Sequence, residues 1–407
     1  MEEQMKKRGV PPLLRGLLFL LLLAGIAAVL LAVLSGMDAG SLGKTGLSEL
    51  LERAGKAFEE EMPSQQAIVA LSAEEPLPAM SVQGENLVLC SNGELRCLDS
   101  EGLERWIKPV QLQTPFVTAD GRDVLYADLT GGTYGVVRDG AAFFEKTGEE
   151  RIFNASMSRD YILLLLKSAD SGYSAVLEGL SREGAPVFKS FLTEYTPFLV
   201  RQNPDSGQDS VILSGISATR LEAGAVVEFL APDMTRLGGV SAEDDLYPVI
   251  LQMNDGTTCL AGEKSLRLVD RDLAVVGEYR PEGDDITAAV LLDGTYPVVA
   301  VLDGKRFETT RQEKTWVRML NRDGTLLRES VQDGRVIRML SGPGCIALQM
   351  ETRVVFLNAD GSELLSFDAR NSVQDVVLTE KGIAYVMADS QVTTLRLKVR
   401  KKFLGIF

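Results

Sequence analysis

Ala79-Met80-Ser81-Val82-Gln83, Asn86-Leu87-Val88-Leu89-Cys90, Leu95-Arg96-Cys97-Leu98 and Leu103-Glu104-Arg105-Trp106-Ile107 read as four short strands in immediate succession. Asn92-Gly93 supplies a tight turn between the second and third, and Asp99-Ser100-Glu101-Gly102 turns the third into the fourth. The second strand is apolar on both faces, as a strand packed on both sides must be, while the outer strands alternate more. Further copies start near Pro115, Ile152, Pro197, Leu246, Ile286, Val336 and Val373. Their mean spacing of roughly 42 residues falls within the ~40–50 typical of propeller blades. Asp-Gly pairs at 120, 139, 255, 293, 303, 323, 333 and 360 favour the positive-φ turns of tight hairpins. A pair of β-sandwiches would also be strand-rich, but the regular quartets and the lack of a linker favour an all-β propeller.

The last copy holds only three strands, Val373–Leu378, Ile383–Met387 and Val392–Val399, whereas residues 66–71 form a strand with no hairpin partner. Pairing 66–71 with 392–399 makes it the outer strand of an eighth blade and leaves no open row of sheets. The sequence therefore predicts an eight-bladed ring over residues 65–399. Blades four and six carry the longer insertions, Asn203–Asp209 and Asp303–Lys314, so seven blades is the alternative.

Ahead of the ring, Gly16 to Met37 is a run of 22 residues without a charge. At ~1.5 Å per residue a helix of this length crosses the ~30 Å core of a bilayer. Lys6, Lys7, Arg8 and Arg15 precede the run and Asp38 follows it, which predicts a cytoplasmic tail over 1–15, a transmembrane helix over 16–37 and an extracytoplasmic remainder. The alternative of a cleaved signal peptide fits less well, because the apolar run is long and Ser35-Gly36-Met37-Asp38-Ala39 is a poor cleavage site. In the stalk, 38–64, Leu47, Leu50, Leu51, Ala54, Ala57 and Phe58 have the spacing of an amphipathic helix that ends before Pro63. Residues 400–407 form a basic and then aromatic tail, Arg400-Lys401-Lys402-Phe403-Leu404-Gly405-Ile406-Phe407. It is expected to leave the ring on the face where the stalk enters, and to touch lipid headgroups or the stalk there.

Composition narrows the chemistry. The chain has 42 Lys+Arg against 57 Asp+Glu; setting aside four basic and two acidic residues before position 38 leaves a net charge of −17 on the remainder. Such a surface repels nucleic acid. The chain contains no histidine, which excludes Ser-His-Asp and Cys-His nucleophiles and His-ligated metals. Cys90 and Cys97 flank the Asn92-Gly93 turn, but that loop sets Cys90 opposite Leu95 and Cys97 opposite Val88, too oblique a pair to bridge easily. Together with Cys259 and Cys345 they read as small core residues.

The Asp99-x-x-Gly102-x-x-x-Trp106 stretch resembles the repeat of pyrroloquinoline-quinone-type propellers, which also builds the propeller lipoprotein of the outer-membrane β-barrel assembly machinery. Fainter copies without the tryptophan stand at Ser181–Gly184, Asn321–Gly324 and Asn358–Gly361. The overall layout is similar to a functionally uncharacterised family of single-pass membrane propeller proteins of Gram-positive bacteria. Quinone enzymes of this fold need a calcium site, a catalytic Asp and usually adjacent cysteines. This chain has no adjacent cysteines, and only Trp106 and Trp316 are available to stack on a cofactor. No catalytic, cofactor-binding or metal-binding residue is assigned and no cofactor is expected.

Two acidic clusters, Glu243-Asp244-Asp245 and Glu282-Gly283-Asp284-Asp285, precede neighbouring inner strands and should share one face of the ring. They read as solvated loops, with calcium or a cationic partner as the alternative. Asn154-Ala155-Ser156 matches a glycosylation sequon and is given no role. The expected function is a non-enzymatic binding or scaffolding module of the cell envelope, taking a protein, peptide or polymer. The alternative is a carboxylate-dependent hydrolase or lyase acting on an envelope glycan.

Overall fold

The computed structural model describes residues 65–71, 77–203, 210–217, 224–242, 244–304 and 312–398. The expected membrane helix (16–37), the stalk (38–64) and the tail (400–407) lie outside these residues, as do Glu243 and most of the two insertions. The described residues form an all-β, eight-bladed propeller of four-stranded antiparallel sheets. Blades 1 to 7 occupy Ala79–Pro109, Pro115–Thr147, Ile152–Leu192, Thr196–Ala242, Val249–Tyr279, Asp285–Asp333 and Arg338–Asp368, each running from inner to outer strand in chain order.

Blade 8 is composite. Val373–Leu378, Ile383–Ala388 and Gln391–Arg396 supply its three inner strands, and Gln65–Ala70 its outer one. In that closing pair Gln65 stands opposite Leu395 and Ala70 opposite Gln391, with a bulge between Ala67 and Val69. Leu71 N–H donates to Ser390 O at 2.7 Å just beyond it. Because the strands are antiparallel, the chain enters at Gln65 on the same face from which it leaves after Arg396. That entry face carries the hairpin turns between first and second and between third and fourth strands. The opposite, linker face carries the turns between second and third strands and the connections from blade to blade.

Eight apolar clusters hold the ring, one at each interface between neighbouring blades. Strand alternation explains this. On the second strand of blade 2, Val124 and Tyr126 pack toward blade 1, while Leu125 and Ala127 pack toward blade 3. A side chain as fully buried as Leu125 contributes about 1.5–3 kcal/mol relative to an exposed one, so apolar faces on both sides of the middle strands are what stabilise the ring.

Two inner strands begin later than their sequence suggests, at Val249 instead of Leu246 and at Arg338 instead of Val336. In each case the preceding residues plug an interface. Tyr247 is fully buried, and Pro248 has no N–H to donate to a ladder. Val336 is fully buried too, with its N–H donated to Thr315 Oγ1 at 3.2 Å.

Neighbouring blades also key together at the entry face. In the Asp99–Leu103 turn, Gly102 N–H donates to Asp99 O, Asp99 N–H donates to Leu103 O, and Asp99 Oδ1 accepts the Glu101 and Leu103 N–H groups at 2.9 Å. Gly102 has φ +84°, and a methyl group there would lie 2.9 Å from Ile68 O of blade 8. The same turn recurs at Ser181–Ala185, Ala231–Thr235, Asp270–Ala274, Asn321–Thr325 and Asn358–Ser362. Where the preceding blade offers a large side chain, the turn residue is glycine: Trp106 lies on Gly140 and Phe144 on Gly184. Between blades 4 and 5 the sizes are reversed, and Leu273 packs on Gly238.

This fit predicts unequal costs for two glycine substitutions. Gly121 has φ +59° with open space around it, whereas a methyl group on Gly140 would lie 2.8 Å from Trp106 Cδ1. Gly121→Ala should cost about 1 kcal/mol, the backbone penalty alone. Gly140→Ala should cost about 2–3 kcal/mol, because Trp106 must also move. Urea unfolding midpoints measure both, and equal losses would remove Trp106 from the account.

Candidate binding site

The acidic clusters sit on the linker face, and their described members are engaged. Asp245 is buried; its Oδ1 accepts the N–H groups of Leu246 (2.9 Å) and Lys264 (3.2 Å), and its Oδ2 accepts Ser265 Oγ (2.8 Å). Asp244 accepts from Arg280 at 3.3 Å, Asp285 from Lys264 Nζ at 2.5 Å, and Asp284 from Gly304 N–H at 3.2 Å. No grouping of three or more potential metal ligands occurs among the described residues. These carboxylates fasten loops.

Asp128 does the same in blade 2. Burial pushes its pKa up, but the N–H donors of Gln113, Thr114 and Thr130 outweigh burial and hold the carboxyl below the ordinary 3.8. Asp389 grips Arg370 N–H and Asn371 N–H in the same way in blade 8.

The charged residues of the described inner strands are Asp120, Arg201, Asp285, Arg338 and Asp375. Arg201 donates to its own neighbour, Val200 O, at 3.0 Å, and Arg338 pairs with Asp375 on the adjacent strand. Burial raises the Asp375 carboxyl pKa, against the pull of Arg338 and of Val376 N–H. Elsewhere these strands present chiefly aliphatic groups, such as Ala288, Val290, Val376 and Val377.

The four thiols are free and buried. Burial pushes Cys90 and Cys259 to about 12, and Cys97 and Cys345 to about 11, so they stay protonated core residues. Cys90 stands opposite Leu95 and Cys97 opposite Val88. Asn154 of the sequon lies on an inner strand, where its Oδ1 accepts Val200 N–H at 3.3 Å. Trp106 sits in the blade 1–2 interface and Trp316 in the blade 5–6 interface.

A concavity lies on the outer side of blade 4. It encloses about 340 Å³ and is lined by Glu194, Tyr195, Glu228, Arg236, Gly239 and Ser241, among others. Each wall has a different origin. Glu194 and Tyr195 come from the linker leaving blade 3, which Ser174 pins by donating its hydroxyl to Leu192 O (2.9 Å) and Tyr195 O (2.5 Å). Glu228 projects from the third strand, and Arg236 to Ser241 belong to the outer strand. At the floor Glu228 is 7% exposed; its Oε2 accepts the Tyr195 hydroxyl at 2.8 Å and its Oε1 faces Arg236 Nε at 3.2 Å. Burial first, and then the Glu228 charge, push the Tyr195 pKa up, so the phenol remains a donor.

On the other side of blade 3, toward blade 2, a loop residue and the outer strand form an aromatic pair. Tyr173 and Phe191 are both exposed, with ring centroids 4.9 Å apart, and Lys189 Nζ lies 5.8 Å from the Phe191 ring. Rigid rings with a polar edge suit recognition surfaces.

None of the groove residues belongs to a sequence motif. Tyr195 and Glu228 are 33 residues apart, and only register brings them together. The one local signal is the outer strand itself, which after Arg236 runs Leu237-Gly238-Gly239-Val240-Ser241-Ala242 without a charge.

No family model matches the chain, and no curated protein matches it. Among solved structures it is similar to BamB from Moraxella catarrhalis, with 12% identity, 82% of this chain and 99% of that chain covered, and a TM-score of 0.55. It is also similar to the C-terminal WD40 domain of Sif2, with 14% identity, 83% and 99% coverage and a TM-score of 0.60. A third is the Dos1 propeller, with 10% identity, 82% and 94% coverage and a TM-score of 0.59. At such identities the likeness establishes the propeller fold.

Two variants test these sites. Tyr195→Phe deprives a buried carboxylate of a donor and should cost about 1–3 kcal/mol in thermal unfolding while the ring persists by circular dichroism. For Asp128 the folded pKa is depressed, so its stabilisation is complete above the ordinary 3.8 and is lost as pH falls through the lower folded value. Asp128→Asn should therefore be less stable near neutrality, and its stability should fall less steeply below that pH. Parallel acid denaturation curves for the two proteins would contradict this.

Proposed function

We propose that the protein is a membrane-anchored, extracytoplasmic binding or scaffolding module of the cell envelope, without catalytic activity. The groove of blade 4 carries this reading. It is a cavity whose floor joins the buried Tyr195 and Glu228 to the exposed Arg236, on a ring whose blades key into one another. β-Propellers commonly serve as binding or scaffolding modules, although the fold alone does not assign a ligand. The uncharged run 16–37, with basic residues before it, supports an anchored chain whose ring lies outside the cytoplasm. An acidic surface supports a protein, peptide or polymer partner over nucleic acid.

The alternative, a hydrolase or lyase acting on a glycan, calls for two carboxylates flanking a reacting bond. On the described inner strands Asp375 is tied to Arg338 and Asp120 to Arg182, an arrangement that favours binding over chemistry.

The reading is tested in intact cells with a photo-crosslinking residue in place of Ser241 in the groove, and with another in place of Ser366 on the outer strand of blade 7. A discrete adduct is expected from the first and not from the second, with the protein remaining in membranes after alkaline washing. No adduct from position 241, or release by the wash, would overturn the corresponding half of the proposal.

A further inference from the structure

An outer strand leaves one row of its backbone N–H and C=O groups unpaired, and such edges are ordinarily protected by charge, proline or a bulge. Seven of the eight outer strands carry at least one charged residue or proline. Examples are Glu104, Lys108 and Pro109 in blade 1, Pro186 and Lys189 in blade 3, and Arg328, Glu329 and Asp333 in blade 6. The outer strand of blade 4 has one charge, Arg236, at its very start. Beyond it lie Leu237, exposed at 39%, and the pair Gly238-Gly239, which has no side chains of its own; Leu273 of blade 5 covers Gly238 from one face, and Ser241 O accepts Arg267 Nη1 at 3.0 Å. The uncharged outer strand, Gln65–Ala70, is the one that closes the ring, and the cavity beside it is smaller, at about 230 Å³.

We infer that the outer strand of blade 4 accepts an extended, basic peptide segment as a fifth strand, with alternate side chains entering the adjoining groove. The inference rests on the reading of that groove as a binding surface. Only an extended backbone can satisfy the free row of an edge strand, and alternation drops every second side chain to the same side. On that side the groove holds two carboxylates, Glu194 and Glu228, against one guanidinium, Arg236. Glu194 has no ion pair among the described residues, so a lysine or arginine of the incoming strand finds an open acceptor. A second copy of this chain is a poorer occupant, because two proteins of net charge −15 repel one another.

The test uses the full chain in detergent micelles and a fluorescent seven-residue peptide of alternating valine and lysine, followed by anisotropy. Saturable binding is expected. It should weaken by at least about tenfold when alternate peptide amides are N-methylated, a change that keeps the charge but removes one hydrogen-bonding edge. A valine–glutamate peptide should not bind. Ser241→Lys, which places a charge on the exposed strand, should reduce binding by a similar factor with the circular dichroism spectrum unchanged, and Glu194→Gln by a smaller one. Binding that is indifferent to N-methylation, or to Ser241→Lys, would overturn the inference as non-specific charge attraction. Dimerisation of the wild type abolished by Ser241→Lys would assign the edge to a second copy and also overturn it. Crosslinks from position 241 in cells with no peptide binding would reject strand addition while leaving the groove as a binding surface.

Discussion

The backbone bonds between Gln65–Ala70 and Gln391–Arg396 are the constraint on which the architecture depends. Each blade is a twisted four-stranded sheet with apolar groups on both faces, and it cannot be stable alone. Seven blades in a row would bury six interfaces and leave two apolar faces in water. Completing the eighth sheet with a strand from the start of the ring converts the row into a circle, and every face then has a neighbour. Contacts across the closure strengthen it. Lys381 pairs with Glu85, Tyr385 donates to Glu85 O at 2.5 Å, and Arg396 reaches Ser100 Oγ at 3.2 Å.

A second layer of specificity lies in the matching of sizes between blades. The turn glycines accept Trp106 and Phe144, and the strand glycine Gly238 accepts Leu273. Charged groups supply the same matching between blades 2 and 3. Arg182 of blade 3 binds Asp120 and Asp123 of blade 2 at 2.8–3.0 Å, and Arg138 completes the pairing on Asp123. Burial raises the Asp123 carboxyl pKa, yet the two guanidinium groups prevail and keep it ionised. Such networks are costly to interrupt, since a lone buried charge would remain.

Much of the fold was legible in the sequence because it is written in local signals. Apolar runs of strand length, Asn-Gly and Asp-Gly turns, and a leading strand without a partner together imply eight sheets and a closed ring. The starts of blades 5 and 7 were misplaced because Tyr247 and Val336 are apolar for another reason: they plug interfaces ahead of their strands. The groove was not legible. Its floor joins a tyrosine in a linker to a glutamate on a strand 33 residues later, and no spacing rule predicts that meeting. The acidic clusters drew attention as runs of charge, yet Asp245 and Asp285 prove to be fasteners of neighbouring loops, a role that depends on where backbone N–H groups point.

The closing strand has a bearing on how the molecule is made. Gln65–Ala70 emerges from the ribosome before any of the ring, but its partner is the last strand synthesised. Throughout elongation seven blades can assemble outward from blade 1 while this leading segment waits unsatisfied. Its apolar residues Ile68, Val69 and Leu71 pack into the core only once that partner is in place. Final compaction therefore waits for residues 391–396, and a chain truncated anywhere before residue 391 yields an arc with two sticky ends in place of a shortened ring.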